Sequence, residues 1–203
     1  MKRRTFVIAP LVGALLSIAA PAFAAPISLN RLSAYLNDLQ TVKGDFTQVN
    51  ADGSIDTGTI YIRRPGRARF EYNKPNDALV MAGGSQVAVF DPVSPESANI
   101  YPLNRTPLSI ILARNVNLGQ AKMVVDHRQV DNTTVVKAQD PAHPEYGNIQ
   151  LVFTDNPVQL RQWIITDDSG NQTTMILGDT KTGMSLSNEL FNIQHEQGKR
   201  QYR

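Results

Sequence analysis

The residues able to do chemistry are few and scattered. His127, His143 and His195 lie far apart and match no metal-ligand spacing. There is no cysteine, so neither a thiolate nucleophile nor a thiolate metal site can be built. No Gly-x-Ser-x-Gly elbow occurs. Asp167-Asp168-Ser169-Gly170-Asn171 has the acidic density of a calcium loop. It lacks that loop's alternating oxygens and closing glutamate, and a hairpin turn accounts for it. Gly83-Gly84 follows one strand pattern and precedes another, whereas a phosphate-binding loop opens a helix. The carboxylates are dispersed. These patterns argue against an enzyme and give no reason to expect a metal or cofactor; a periplasmic hydrolase whose carboxylates converge in space is the alternative from the enzyme class. The one chemically odd position is Arg64.

Arg64 belongs to the stretch from Gly58 to Pro75, which reads as two strands joined at Pro65-Gly66. Proline presets φ there and glycine accepts a positive φ. Side chains alternate between the faces of a strand. Ile60, Ile62 and Arg64 therefore share one face, and Tyr61 and Arg63 the other. On the return strand Ala68, Phe70 and Tyr72 share a face. A guanidinium that continues an apolar face needs acceptors, because a lone buried charge is prohibitively costly. Either Arg64 reaches water past the strand end, or polar groups come to meet it.

The remaining elements follow from the pattern. Met1 to Ala24 reads as a secretory signal peptide: Lys2, Arg3 and Arg4, then an apolar run, then Ala22-Phe23-Ala24 as a small-x-small cleavage site. The expected product is soluble and exported, and the bacterial style of the signal favours the periplasm. The whole chain carries 20 Lys and Arg against 18 Asp and Glu. Removing the signal's three basic residues leaves 17 against 18, so the basic character gives no support for nucleic acid as a partner. With no disulfide available, stability must come from a core, and residues 25–203 are numerous enough for one domain.

Ser28 to Leu39 reads as a helix striped by Leu29, Leu32, Leu36 and Leu39, with Ser28 as its cap. Gly44 ends the helical signal, and a strand begins over Asp45 to Val49 around Phe46. Ala78 to Ala82 and Gln86 to Phe90 form a hairpin about Gly83-Gly84. Ala98 to Tyr101 can pair as a further strand. A second helix starts with Thr106 as cap and Pro107 as first residue, carries Leu108, Ile110, Ile111, Leu112 and Ala113, and stops at Arg114-Asn115. It is apolar almost all round, so both sides should be covered. The second half is strands again: Lys122 to His127, Thr133 to Ala138, Ile149 to Phe153, Gln159 to Thr166 and Asn171 to Leu177. Ser187 to Leu190 suggests one helical turn, and Gly198 to Arg203 reads as a frayed polar tail. About ten antiparallel strands with two helices imply a mainly β fold, a twisted sheet curled around a core or cavity. Whether the helices roof a cavity or pack permanently on the sheet is open from pattern alone.

Several of these residues, in this order, resemble the periplasmic outer-membrane lipoprotein carrier proteins of the LolA family. They are Phe46-Thr47-Gln48 after a leucine-striped helix, Gly58 before Ile60-Tyr61-Ile62-Arg63-Arg64-Pro65, then Phe70, Tyr72 and Pro75. Gly84 before Val87-Ala88-Val89-Phe90-Asp91-Pro92 and Thr106-Pro107 leading to Leu112-Ala113-Arg114-Asn115 complete the set. The resemblance spans about Leu29 to Asn115. It implies an incomplete, half-open antiparallel β-barrel under a helical lid, around a hydrophobic cavity for acyl chains. It implies that Arg64 closes the lid by bonding the backbone carbonyls of Leu36, Leu112 and Ala113. The cavity residues it implies, read together with the strand faces, are Leu32, Phe46, Ile60, Ile62, Phe70, Tyr72, Leu108 and Ile111. The implied function is a monomeric periplasmic chaperone. It takes acylated lipoproteins from an inner-membrane ABC-type releasing complex and hands them to an outer-membrane receptor or membrane. A carrier or sensor of other lipids is the alternative, since fold does not fix ligand. One departure is Ala68, where the family often has a large apolar residue near the cavity mouth. The cleavage site generates a first expected outcome: N-terminal sequencing of the exported protein should begin near Ala25, and recovery of the intact chain from the inner membrane would contradict it.

Overall fold

A computed structural model describes residues 25–91, 93 and 98–201; Met1 to Ala24, read above as a signal peptide, lie outside them. Eleven strands form one sheet: β1 (Thr41–Val49), β2 (Ile55–Arg63), β3 (Arg67–Tyr72), β4 (Leu79–Gly83), β5 (Gln86–Phe90), β6 (Ala98–Pro102), β7 (Val124–Val130), β8 (Thr133–Gln139), β9 (Asn148–Thr154), β10 (Gln159–Thr166) and β11 (Gln172–Thr182). Their spatial order is β6-β5-β4-β3-β2-β1-β11-β10-β9-β8-β7, and every neighbouring pair is antiparallel. β6 and β7 do not pair, so the sheet is an open, incomplete barrel. Helices α1 (Leu29–Asp38) and α2 (Leu108–Leu112) pack with the concave face, and α3 (Ile193–Gln201) follows at the end of the chain.

The concave face is made by alternation carried across strands in register. Ile60 pairs with Gly44 and Phe70, and Phe70 with Val80; Ile62 pairs with Val42 and Ala68, and Ala68 with Ala82. In the other half Trp163 stands between Met175 and Leu151. Leu32 and Leu36 of α1 and all but Ser109 of α2 are buried over this face in one continuous cluster. Each such side chain contributes about 1.5–3 kcal/mol on burial, so the helices and the sheet share one core.

Several boundaries differ from the sequence reading, each for a contact that pattern does not reveal. The first strand starts at Thr41, not Asp45, and Gly44 lies inside it. A Cβ at Gly44 would stand 2.8 Å from the Asp179 carbonyl oxygen, where β1 and β11 shift register. Gly83 is still strand and pairs with Gln86. The turn is Gly84-Ser85, both at positive φ (57° and 64°), as a two-residue hairpin requires. Thr106 does not cap α2; its hydroxyl donates to the Leu103 carbonyl instead, and Pro107 occupies the cap position. The C-terminal segment is a helix through Gln201 rather than a frayed tail from Gly198.

That last difference arises on the convex face. There Leu79, Met81, Ala88 and Phe90 form a second cluster with Ile193. Arg69 pairs with Glu71 at 2.6 Å and with Glu196 at 3.3 Å, and Arg200 pairs with Glu196 at 3.1 Å while lying 4.8 Å from the Phe90 ring centre. Burial alone would raise the Glu196 carboxyl, but Arg200 and Arg69 outweigh it and hold it below its ordinary value. A carboxyl depressed in the folded state stabilises above its unfolded pKa, and that stability is lost as pH falls through the folded pKa. Acidification below the ordinary glutamate range should therefore loosen α3 selectively. Hydrogen exchange of the Ile193–Gln201 amides against pH checks this, and Glu196→Gln should flatten the dependence.

Candidate functional site

The turn after β2 is where α1 and α2 meet the sheet. Arg64 is only 7 % exposed, a rare state for a charged side chain. Its Nε donates to the Ala113 carbonyl at 3.2 Å, and its Nη2 also reaches that carbonyl. Nη1 donates to the Leu36 carbonyl. Nη2 further donates to Asn37 Oδ1 at 3.2 Å and lies 3.5 Å from the Arg114 carbonyl. Leu36 is in the last turn of α1, and Ala113 follows the last residue of α2. Carbonyls at helix C-termini have no partner within their helix and carry the negative end of the helix dipole. One guanidinium thus satisfies orphan acceptors of both helices. Burial pulls its pKa below the ordinary arginine value.

Two details enlarge the expected contact set. The Leu112 carbonyl accepts from the Gly66 N–H at 2.9 Å, not from Arg64. The turn therefore grips α2 twice, once by side chain and once by backbone. Asn37 was not anticipated. Its Nδ2 donates to the Val116 carbonyl at 2.9 Å, and its Oδ1 accepts from the Val116 N–H at 2.8 Å as well as from Arg64. Ser33, one turn earlier, accepts from the Leu118 N–H at 3.0 Å. Together Ser33 and Asn37 tie α1 to the segment after α2. An i, i+4 pair of small polar residues on a leucine-striped helix is the signal that marks them. Tyr35 anchors α1 to the other half of the sheet by accepting from the Leu160 N–H at 3.0 Å, and burial raises its hydroxyl pKa.

Beside the start of α2 lies an apolar cavity of about 200 Å³. Phe70, Val80 and Val87 line it from one half of the sheet, Trp163, Ile165 and Met175 from the other, and Leu108 from α2. Gln48, Tyr72, Thr106 and Thr173 supply its polar edge. Phe46 stacks edge-on against both Phe70 (6.0 Å) and Tyr72 (5.1 Å), and Phe70 against Trp163 (6.5 Å). Of the anticipated cavity residues, Phe70, Tyr72 and Leu108 face the free volume. Leu32, Phe46, Ile60, Ile62 and Ile111, with Leu36 and Leu112, pack in the surrounding core. Trp163 and Met175 were not anticipated, because they lie in the half that carried no resemblance; strand alternation over Gln159 to Thr166 for Trp163, and over Asn171 to Leu177 for Met175, is their signal. Ala68 is fully buried, opposite Ile62 and Ala82.

A family model described as outer membrane lipoprotein carrier protein LolA matches residues 37–194. The chain belongs to the LolA family. Its LolA relatives include the outer-membrane lipoprotein carrier protein of Azotobacter vinelandii, 26% identical over 201 residues, covering 93% of this chain and 94% of that one. The corresponding protein of Methylococcus capsulatus is 26% identical over 173 residues, covering 81% of this chain and 82% of that one. Among solved structures, a LolA superfamily protein from Nitrosomonas europaea has 9% identity and a TM-score of 0.45, covering 83% of this chain and 99% of that one.

The other candidate groups of this LolA-family chain are spent locally. His127 bonds the Ile27 carbonyl at 2.9 Å, His143 pairs with Glu145 at 3.0 Å and His195 with Glu189 at 3.1 Å. Asp167 accepts the N–H groups of Ser169 and Asn171, closing its turn. Among the described residues no three His, Cys, Asp or Glu side chains converge as a metal site. The geometry at Arg64 generates a direct test. Lysine cannot reproduce a planar fork of donors, and a buried acceptor left unpaired costs about 1–3 kcal/mol. Arg64→Lys should lower stability by about that amount and speed amide exchange at Gly66 and Val116, while exchange in β8 and β9 stays as it was.

Proposed function

We propose that the protein is a periplasmic carrier that holds the acyl chains of lipoproteins released from the inner membrane and delivers them to the outer membrane. In this reading an ABC-type complex supplies the cargo, and a receptor or the membrane itself accepts it. No covalent step takes place. Membership of the LolA family and the carrier names of its relatives support the lipoprotein cargo. The single structural observation behind the reading is a buried arginine holding two helices closed over an apolar interior.

The energetics suit reversible carriage. An acyl chain gains about 0.8 kcal/mol per buried CH₂, so affinity needs no strong polar site. The free volume of about 200 Å³ is smaller than the roughly 300–1,000 Å³ of ordinary ligand pockets. Loading therefore requires the lid to rise, and rising breaks the Arg64 bonds. Charge-assisted hydrogen bonds are worth about 1.5–3 kcal/mol each, enough to bias such an equilibrium without freezing it. Return to the closed state then helps expel the chains.

Arg64→Leu separates loading from release. The variant should load lipoprotein, because the apolar interior remains. It should transfer cargo to acceptor membranes more slowly, by roughly tenfold for each 1.4 kcal/mol of closed-state stabilisation removed. The measurement is transfer of preloaded lipoprotein to outer-membrane vesicles. Loading and transfer both equal to wild type would reduce Arg64 to a structural residue.

A further inference from the structure

The cavity has one polar feature that apolar carriage does not require. The concave residues of β1 are Val42, Gly44, Phe46 and then Gln48. By alternation Gln48 occupies an inward position, and it lines the cavity beside Tyr72. A glutamine there is costly unless its amide is bonded. The Tyr72 hydroxyl donates to Gln48 Oε1 at 2.6 Å, and Gln48 Nε2 donates to Asn50 Oδ1 at 2.5 Å. Asn50 in turn spends Nδ2 on Asp56 Oδ2 at 2.7 Å and Ser54 Oγ at 2.9 Å, and Ser54 Oγ donates to Asp52 at 2.6 Å.

This chain of bonds has one direction only. Asp56 and Ser54 require the amide nitrogen of Asn50, so Asn50 must present its oxygen to Gln48. Gln48 must then present nitrogen to Asn50 and oxygen to Tyr72. Tyr72 stays a neutral donor, since burial and the nearby Asp56 charge push its pKa up to about 12. Gln48 Nε2 carries a second N–H, which has no hydrogen-bond partner among the described residues. Gln48 and Tyr72 are half-buried, whereas Phe70 and Trp163 are buried. The site therefore offers a fixed donor at the edge of the cavity and only apolar surface at depth. Of the other polar lining groups, Thr106 gives its proton to the Leu103 carbonyl, and the rotatable Thr173 hydroxyl can donate or accept, so the Gln48 N–H is the lining donor of fixed sense.

We propose that Gln48, oriented by Tyr72 and Asn50, binds the ester or amide carbonyl that joins an acyl chain to its carrier molecule, so that the site reads the acyl linkage as well as the chain. This rests on the reading of the cavity as an acyl-chain site. A carbonyl is an acceptor without protons, which matches a lone N–H donor, and the alkyl tail then runs inward toward Phe70 and Trp163. Gln48 also sets the orientation of the bound chain, carbonyl outward.

Trp163 is the only tryptophan and lines the cavity, so quenching of its fluorescence by brominated chains reports occupancy. Two probes of equal chain length are compared in detergent micelles, a bromo-fatty-acid methyl ester and a bromoalkane that lacks the carbonyl. Wild type should bind the ester tighter by roughly two- to tenfold, the factor one net hydrogen bond supplies. Gln48→Met, close in volume, should bring that ratio to about one. Tyr72→Phe, which leaves the amide in place but unheld, should give an intermediate ratio. Equal binding of both probes by wild type overturns the proposal and leaves the acyl-cavity reading standing. So does a ratio that survives Gln48→Met. Quenching by neither probe overturns the acyl-cavity reading itself, and this proposal with it. Should Gln48→Met fail to fold, the wild-type ratio and its fall in Tyr72→Phe decide the matter.

Discussion

A guanidinium that keeps only 7 % of its surface exposed must find acceptors inside the protein. Arg64 finds them at the two places where the lid necessarily has acceptors to spare, the carboxyl ends of α1 and α2. Each side therefore solves the other's problem. The helix ends would leave carbonyls unpaired under a closed lid, and the arginine would be an unpaired charge beneath the same lid. The acceptors belong to the two helices and the donor to the sheet, so this mutual satisfaction exists only while the helices lie on the sheet. In the proposed opening, water would replace either partner, so the contact would act as a bias and not as a clasp. The Gly66 N–H on the Leu112 carbonyl adds a second, uncharged bond from the same turn.

The interior is constrained by the opposite requirement. An ordinary core gains from being filled to crystal-like density. Here the helices place Leu32, Leu36, Ile111 and Leu112 in a continuous cluster with the sheet, yet a cavity of about 200 Å³ persists between the two sheet halves. Its walls combine the edge-on pair of Phe70 and Trp163 with aliphatic side chains and one methionine, Met175. Methionine adapts to irregular neighbours. In the proposed carrier, the helices' own side chains and an acyl chain compete for the same apolar surface. Such competition would keep an empty carrier folded and let a loaded one release its cargo.

Much of this was legible from residue order. Strand alternation puts Arg64 in line with Ile60 and Ile62, and in the structure it is buried with them. The antiparallel, mainly β architecture follows from short alternating runs separated by turn residues, and the sheet has the expected open form. What pattern does not carry is contact between distant segments. Gly44 and Gly83 look like breakers, yet each lies within a strand because another backbone, at Asp179 and at Phe191, approaches too closely for a Cβ. The polar C-terminal residues look frayed, yet Arg69 and Phe90, more than a hundred residues earlier, hold them in a helix. Alternation puts Trp163 and Ile165 on one face of β10, but that this face meets the cavity depends on the register across β9, β10 and β11.

Helix α2 joins the two halves of this physics. Leu108 at its start lines the cavity, while Ala113 just past its end accepts from Arg64. The helix is only five residues long, so its ends cannot move far independently. Asn37 extends the unit by pairing both backbone groups of Val116 with α1. In the proposed carrier, a chain that displaces Leu108 from the cavity also shifts the carbonyl that Arg64 holds. By linkage, whatever free energy separates the Arg64 contact in the empty and loaded states enters the cavity's affinity with opposite sign. Affinity for a ligand and tightness of the lid are then one equilibrium read at two sites, and the balance is set where α2 begins and where it ends.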